Sequence, residues 1–265
     1  MQLTKHHGLG NDFLVALATR NDGLVANPDQ AIRLCDRHRG VGADGLLYGL
    51  DGTDGADLTM VLLNADGSEA EISGNGIRCL AQAVVQDRGQ GNGVLRVRTA
   101  AGSRHLVVRP TADRATHMVE VDMGAVGPGP EVPEVLGLEP LQAIGADIGN
   151  PHLVLRVDSL NGLDPARIGP VIEAQVPGGV NVHLLVTEGA DTIRLLHWER
   201  GVGVTEACGS GASVAASVAH GWGLVGDVVR VRMPGGDAEV RLGQTAADSV
   251  VLVGPATFVA DVVVP

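Results

Sequence analysis

Three short glycine-bearing segments occur twice in this chain, in the same order and at nearly the same distance. GNDF at Gly10–Phe13 is matched by GNPH at Gly149–His152, which sets Asn11 and Asn150 139 residues apart. GADGLL at Gly42–Leu47 is matched by GVNVHL at Gly179–Leu184, 137 apart, and GNG at Gly74–Gly76 by GSG at Gly209–Gly211, 135 apart. A period this long does not suit a solenoid and does suit a duplicated domain. The 265 residues leave room for two domains of about 130 residues each. The join is expected near residues 112–117, around Thr111–Arg114, giving a first domain over 1–114 and a second over 115–255. The final apolar strand, about 256–265, is expected to return to the first domain.

The elements between these markers read as short β-branched strands bounded by Gly, Pro, Asp or Asn. Examples are Leu58–Leu63, Val94–Thr99, His105–Val108, Met118–Met123, Leu153–Val157, His183–Val186, Thr192–His197, Val228–Met233 and Val250–Val253. Two alanine-rich helices interrupt them, Gly76–Asp87 and Gly211–His220; in the first, Ile77, Leu80, Ala81, Val84 and Val85 recur at helical spacing. Further helices are expected over Asp29–Arg37, opened by Pro28, and over Pro165–Ile172.

Composition removes several classes of function. A net charge of −12 argues against a nucleic-acid or anionic-membrane footprint. Lys5 is the only lysine, so neither a Schiff-base pyridoxal enzyme nor a P-loop is expected. The three cysteines, Cys35, Cys79 and Cys208, are too few and odd in number for a disulfide framework. No secretory signal or bilayer-length apolar run stands out. These limits suit a soluble cytoplasmic enzyme. With 2% aromatics, its cores must be built from Val, Leu, Ile and Ala.

Each half ends its strand region in a glycine-rich polar turn that runs into an alanine-rich helix, Asn64–Ala81 and Trp198–Ala216. Glycines at a helix start let backbone N–H groups approach an anion. The same position lowers the pKa of a thiol, and Cys208 occupies it. Inverting a carbon that carries hydrogen needs one group to take a proton from one face and another to return one to the opposite face. A duplicated domain with a cleft supplies such groups in matching positions. Cys35 and Cys79 read as packing residues, and the histidines show no zinc-ligand spacing. His152 reads as a residue that orients its turn.

The segments KHHGLGNDF (Lys5–Phe13), NADGSEAEISGNG, GNPH, GVNVH and ERGVGVTEACGSG together resemble the diaminopimelate epimerase family, in its order and spacing from residue 5 to residue 213. The resemblance implies an α+β fold of two similar domains. Each would be a mainly antiparallel mixed sheet wrapped around a central helix, with the active site in the cleft between them. It implies interconversion of LL- and meso-diaminopimelate, without metal or organic cofactor, in lysine and cell-wall precursor biosynthesis. It also implies dimers. On this resemblance Asn11, Asn64, Asn150 and Asn181 line the substrate, and Glu199 and Arg200 grip its distal ammonium and carboxylate. The backbone at Gly74–Asn75 and Gly209–Ser210 holds the carboxylate of the reacting centre, and Cys208 is one of the two proton-transferring residues.

Two positions depart from the family pattern. The cysteine expected immediately before GNG is Ser73, a far poorer base than a thiolate near neutral pH. Gly45 stands where some members have glutamine. Ser73 leaves three readings open: a natural replacement that turns over slowly, a Cys-to-Ser substitution introduced to trap a complex, or a racemase-like branch that pairs Ser or Thr with Cys for dehydration. A same-fold amino-acid racemase, epimerase or dehydratase and a turnover-deficient binding form are therefore the competing readings. The Glu199–Arg200 pair favours a substrate with a second zwitterionic end.

Overall fold

Hairpins and glycine turns set the architecture from the first residues. The computed structural model describes residues 1–134, 138–243 and 248–265. β1 (Gln2–Gly8) and β2 (Asn11–Leu17) form a hairpin whose two linking residues, Leu9 and Gly10, have φ of 56° and 84°. Positive φ at both central residues gives the turn that matches strand twist, and it sets Asn11 at the head of β2. α1 (Pro28–Cys35) follows, with the Asn27 side chain accepting the N–H groups of Asp29 and Gln30. The helix expected to run to Arg37 stops at Cys35. Asp36 leaves the helical conformation (ψ 119°), and its carboxylate accepts the His38 and Arg39 N–H groups instead.

β3 (Gly45–Asp51), β4 (Leu58–Asn64), β5 (Glu69–Ala70), α2 (Gly74–Asp87), β6 (Gly93–Thr99), β7 (Gly102–Pro110) and β8 (Thr116–Asp122) come next. Pairing is antiparallel for β1–β2, parallel for β2–β3, antiparallel for β3–β4, parallel for β4–β6 and antiparallel for β6–β7. The chain continues through β9 (Gly127–Pro128), β10 (Gln142–Asp147), β11 (Pro151–Arg156), α3 (Pro165–Glu173), β12 (Asn181–Thr187) and β13 (Thr192–Trp198). Then come α4 (Gly209–Gly221), β14 (Val228–Met233) and β15 (Gly236–Arg241). From β10 to β15 the pairing follows the same succession: antiparallel, parallel, antiparallel, parallel, antiparallel. The last strand, β16 (Val251–Val263), runs antiparallel to β1 from Gln2↔Val263 to His7↔Thr257 and also lies beside β8. The sheet β1-β2-β3-β4-β6-β7-β8-β16 thereby closes on itself.

The chain divides into two compact units, Met1–Asp122 with Val253–Pro265, and Met123–Leu252. The join expected around Thr111–Arg114 is instead the turn between β7 and β8, because β8 continues the antiparallel pairing of the first unit, from Leu106↔Val121 to Pro110↔His117. In the first unit α2 is buried from Gly74 to Val85 and packs against β1, β2, β3, β4, β7 and β8. In the second, α4 is buried from Gly209 to Ala216 and packs against the strands from β10 to β15. A helix covered on every side is mostly apolar, and small residues let strands approach it closely. This accounts for the alanines of α4. No helix among the described residues is long and apolar enough to cross a membrane.

Candidate active site

α2 starts at Ser73, whose backbone is still extended (φ −133°, ψ 116°) and whose hydroxyl oxygen accepts the Gly76 N–H at 3.0 Å. This is helix capping by a short polar side chain. Asn75, in the first turn, is buried, and its Nδ2 donates to Asn11 Oδ1 at 3.1 Å. Asn11 Nδ2 in turn donates to Asp44 Oδ2 at 2.6 Å. Arg78 Nη2 donates to Asn75 Oδ1 at 2.7 Å and Nη1 to the Gly74 carbonyl at 3.0 Å. Asn11, Gly74 and Asn75 are thus held in one buried polar chain. Asn64 stands apart from it, its Nδ2 donating to Ser68 Oγ at 3.0 Å. Gly45 has no room for a side chain in this backbone: a Cβ would lie 2.9 Å from the Leu63 carbonyl oxygen and 3.0 Å from a Leu62 methyl.

α4 opens in the same way. Cys208 is extended (φ −123°, ψ 109°), and its Sγ accepts the Gly211 N–H at 3.3 Å. Gly211 has to be glycine, since a Cβ there would lie 2.0 Å from Cε1 of His183. Ser210 Oγ is 3.6 Å from Cys208 Sγ. The helix start was expected to lower this thiol's pKa. In the folded chain burial outweighs it and pushes the thiol well above its ordinary value; the nearby, hydrogen-bonded Glu199 carboxylate adds to the rise, while Ser210 and the Gly211 N–H pull the other way. Cys208 is 3% exposed, so a thiolate there would lose its hydration before the helix N–H groups repaid it. The resting group is the neutral thiol.

Glu199 and Arg200 sit in a tight loop closed by the Glu199 N–H donating to the Gly203 carbonyl and the Gly203 N–H donating back to the Glu199 carbonyl, at 2.8 and 2.9 Å. The Thr205 hydroxyl also donates to the Glu199 carboxylate. Arg200 offers its backbone N–H to Asn181 Oδ1 at 3.0 Å and its Nη1 to the Gly178 carbonyl at 3.2 Å. Asn181 Nδ2 donates to the Pro151 carbonyl at 2.9 Å. His152 Nε2 donates to Asn150 Oδ1 at 2.8 Å, which leaves its Nδ1 to accept from His183 Nε2, also at 2.8 Å. His197 Nε2 lies 2.9 Å from Thr205 Oγ1. Burial lowers the His152 pKa to about 3 and that of His197 to about 4, and takes His183 well below the usual value. All three rings are neutral near pH 7 and serve as hydrogen-bonding struts. Among the described residues no cluster of His, Cys, Asp or Glu is gathered to hold a metal. Burial pushes both the Cys35 and Cys79 thiols up to about 12, as suits packing residues.

Sequence reasoning passed over Arg78, Asp44, Thr205, His183 and His197. None belongs to a glycine-rich turn except Asp44 and Thr205, and the available signal was the presence of polar residues on buried strands and helices. His183 and His197 alternate with apolar neighbours along β12 and β13 where a core residue belongs, and Arg78 interrupts the apolar run of α2.

The family model described as diaminopimelate epimerase matches residues 3–127 and 145–259. The diaminopimelate epimerase of Carboxydothermus hydrogenoformans is 37% identical over 275 residues, covering 98% of this chain and 97% of that protein. Those of Desulfitobacterium hafniense (38% identity, 98% and 96% covered) and Synechocystis sp. (37%, 91% and 91%) are comparably similar. Among solved structures, a hydroxyproline epimerase from Agrobacterium vitis shares the fold with a TM-score of 0.74 at 20% identity, covering 98% of this chain and 91% of that one. A Bacillus anthracis phenazine biosynthesis protein of the PhzF family does so with a TM-score of 0.71 at 14% identity, covering 99% and 98%.

Proposed function

Because the chain belongs to the diaminopimelate epimerase family, an isomerase family of lysine biosynthesis, we propose that Ser73 and Cys208 are the two positions that move protons at its substrate's α-carbon, one on each face. One observation carries this reading. Two helix starts have the same extended cap, with Ser73 Oγ and Cys208 Sγ each accepting the N–H of the glycine three residues on. That likeness, with the matching succession of strand pairings in the two units, supports an internal duplication whose halves each contribute one acid/base group.

In this reading the Gly74–Asn75 and Gly209–Ser210 turns take the reacting carboxylate, since helix starts favour anions. Asn11, Asn64, Asn150 and Asn181 line the substrate, and Glu199 and Arg200 take its distal ammonium and carboxylate. The hydrogen bond between Glu199 and the Cys208 thiol supports a further role for that carboxylate, as the acceptor through which the thiol ionises. Cys208 as thiolate removes the α-proton, and the electron pair left on carbon is delocalised into the carboxylate. The Ser73 hydroxyl delivers a proton to the opposite face and its alkoxide recovers one from water. The resulting hydroxide takes up the thiol proton held by Glu199, and Cys208 is left as the thiol carrying the substrate's former α-proton. In the reverse direction Ser73 would have to act as the base, for which a hydroxyl is poorly suited. Proton exchange at the Cys208 face therefore outruns inversion. We also infer that the enzyme is cytoplasmic and pairs as a dimer, the second to be read by sedimentation velocity.

Incubation with LL- and with meso-diaminopimelate in D₂O, following isomer ratio and α-deuterium, tests the assignment. The expected result is slow epimerisation that rises by about 100-fold or more in Ser73→Cys, the gain of a positioned acid/base group. A Ser73→Cys variant that binds diaminopimelate but stays inert would show that these two positions are not the proton carriers. Exchange without any inversion in the parent protein would mean that Cys208 works alone.

A further inference from the structure

The start of α2 holds a charged group that the proton chemistry leaves unused. Arg78, one turn into the helix, is fully buried, yet its hydrogen-bond partners are neutral. Nη1 donates to the Gly74 carbonyl at 3.0 Å, Nη2 to Asn75 Oδ1 at 2.7 Å, and Nε to the Pro255 carbonyl of β16 at 3.3 Å. Two glycines make room for it: a Cβ on Gly254 would stand 3.0 Å from Cζ, and one on Gly8 would stand 3.1 Å from Nη2. Burial lowers its pKa only to about 10, so it is charged at neutral pH. A buried charge without an opposite partner is costly, and something must offset it.

α4 supplies the internal comparison. Ser213 stands at the same step from Gly209 as Arg78 does from Gly74, is also fully buried, and donates its hydroxyl to the Gly209 carbonyl at 3.0 Å. Both helices satisfy the same carbonyl of their first turn, and a neutral hydroxyl suffices in α4. The cation in α2 therefore does something that helix geometry alone does not require.

We propose that Arg78 is a positioning residue for the α-carboxylate of the substrate: by gripping the Gly74 carbonyl and the Asn75 side chain it orients and polarises the turn that binds that group and supplies the buried positive charge opposite it. This rests on the reading that the Ser73–Asn75 turn meets the α-carboxylate. The geometry explains how the effect passes along the chain. In the trans peptide joining Gly74 to Asn75, the N–H points opposite to the carbonyl. A cation drawing on that carbonyl therefore strengthens the N–H as a donor on the side where helix starts bind anions. The bond from Nη2 turns the Asn75 oxygen toward Arg78 and its Nδ2 toward Asn11, so one guanidinium fixes two of the residues assigned to the substrate. Negative charge growing on the carboxylate as the α-proton leaves would strengthen the same interaction, which makes Arg78 matter for turnover as well as for binding.

The test uses the full-length protein and its Arg78→Gln and Arg78→Lys variants. Calorimetry measures affinity for meso-diaminopimelate and for its α-carboxamide, and D₂O exchange reads turnover. Arg78→Gln is expected to weaken binding of the acid and slow exchange by about 10- to 100-fold, the range for losing a charged hydrogen-bonding partner. Binding of the neutral carboxamide should stay nearly unchanged, and Arg78→Lys should recover much of the loss. Gly254→Ala, which crowds the guanidinium without removing it, should move the acid-to-amide ratio the same way and stands in if Arg78→Gln does not fold. Equal losses for acid and amide, or none for either, would show that Arg78 is only structural and leave the functional reading intact. Failure of the parent protein to bind diaminopimelate would overturn that reading, and this inference with it.

Discussion

Ser73 and Cys208 occupy similar backbone positions and differ in the atom that caps the helix. At each, the side-chain atom accepts an N–H from the first helical turn, at 3.0 Å for oxygen and 3.3 Å for sulfur. The setting of the sulfur shows how two effects at one residue are ranked. The helix start favours the thiolate, but burial and Glu199 disfavour it by more, so the resting thiol is protonated. Gly211 is the residue on which this geometry turns most sharply. Gly211→Ala would drive a methyl into the His183 ring, 2.0 Å from Cε1. The ring is fully buried and tied to His152, so it cannot step aside cheaply. The expected loss is about 1–3 kcal/mol, as for overpacking, read from the shift in urea midpoint. Ala at the more open Gly221, where a Cβ would meet nothing within 4 Å, is the control.

At the scale of elements, the two buried helices are placed by their first turns. A capping oxygen satisfies a donor that would otherwise face the interior, and losing it typically costs about 1 kcal/mol. Ser73→Ala is therefore expected to destabilise the first unit by about that amount, and Cys208→Ala by less on this account, because sulfur is the weaker acceptor. Ser73→Cys should retain the cap in the manner of Cys208. Chemical unfolding of the three variants checks the order. The same capping logic sets the other helix limits. Asn27 and Asp164 start α1 and α3 ahead of a proline in each case, and Asp36 ends α1 by diverting its carboxylate to the N–H groups beyond.

Across the whole molecule burial keeps His6, His152, His183 and His197 neutral, and this makes stability depend on pH. His6 in the first unit and His197 in the second are held to about 4, and His152 to about 3, by burial. Each folded value lies below the unfolded one of about 6.5, so below that pH the unfolded chain binds more protons. Stability from these groups is complete above about pH 6.5 and is lost as pH falls toward 4, by up to about 1.4 kcal/mol per pH unit for each ring. Thermal unfolding between pH 6.5 and 5.5, where ordinary carboxylates remain ionised, should show a clear drop in Tm. A flat Tm across that window would contradict neutral burial of the rings. His197→Gln, which keeps a donor for Thr205, should flatten the dependence.

The sequence by itself determined the paired glycine turns, the alanine-rich helices behind them, the family and the departure at Ser73. These are legible because glycine at a left-handed or crowded position, and a short polar residue at a helix start, are local requirements written within a few residues. β2 and β3 were harder to read: they are largely buried, and buried strands lose the alternation that marks a half-exposed one. The turn at Thr111–Arg114 looked like a join for a related reason, since only the pairing of β8 with β7 and β16 assigns it to the first unit. Tertiary structure alone decided the state of the Cys208 thiol and the buried setting of Arg78. Both depend on burial and on partners far along the chain, Pro255 for Arg78 among them, and removing a charge from water is a cost that no local spacing records.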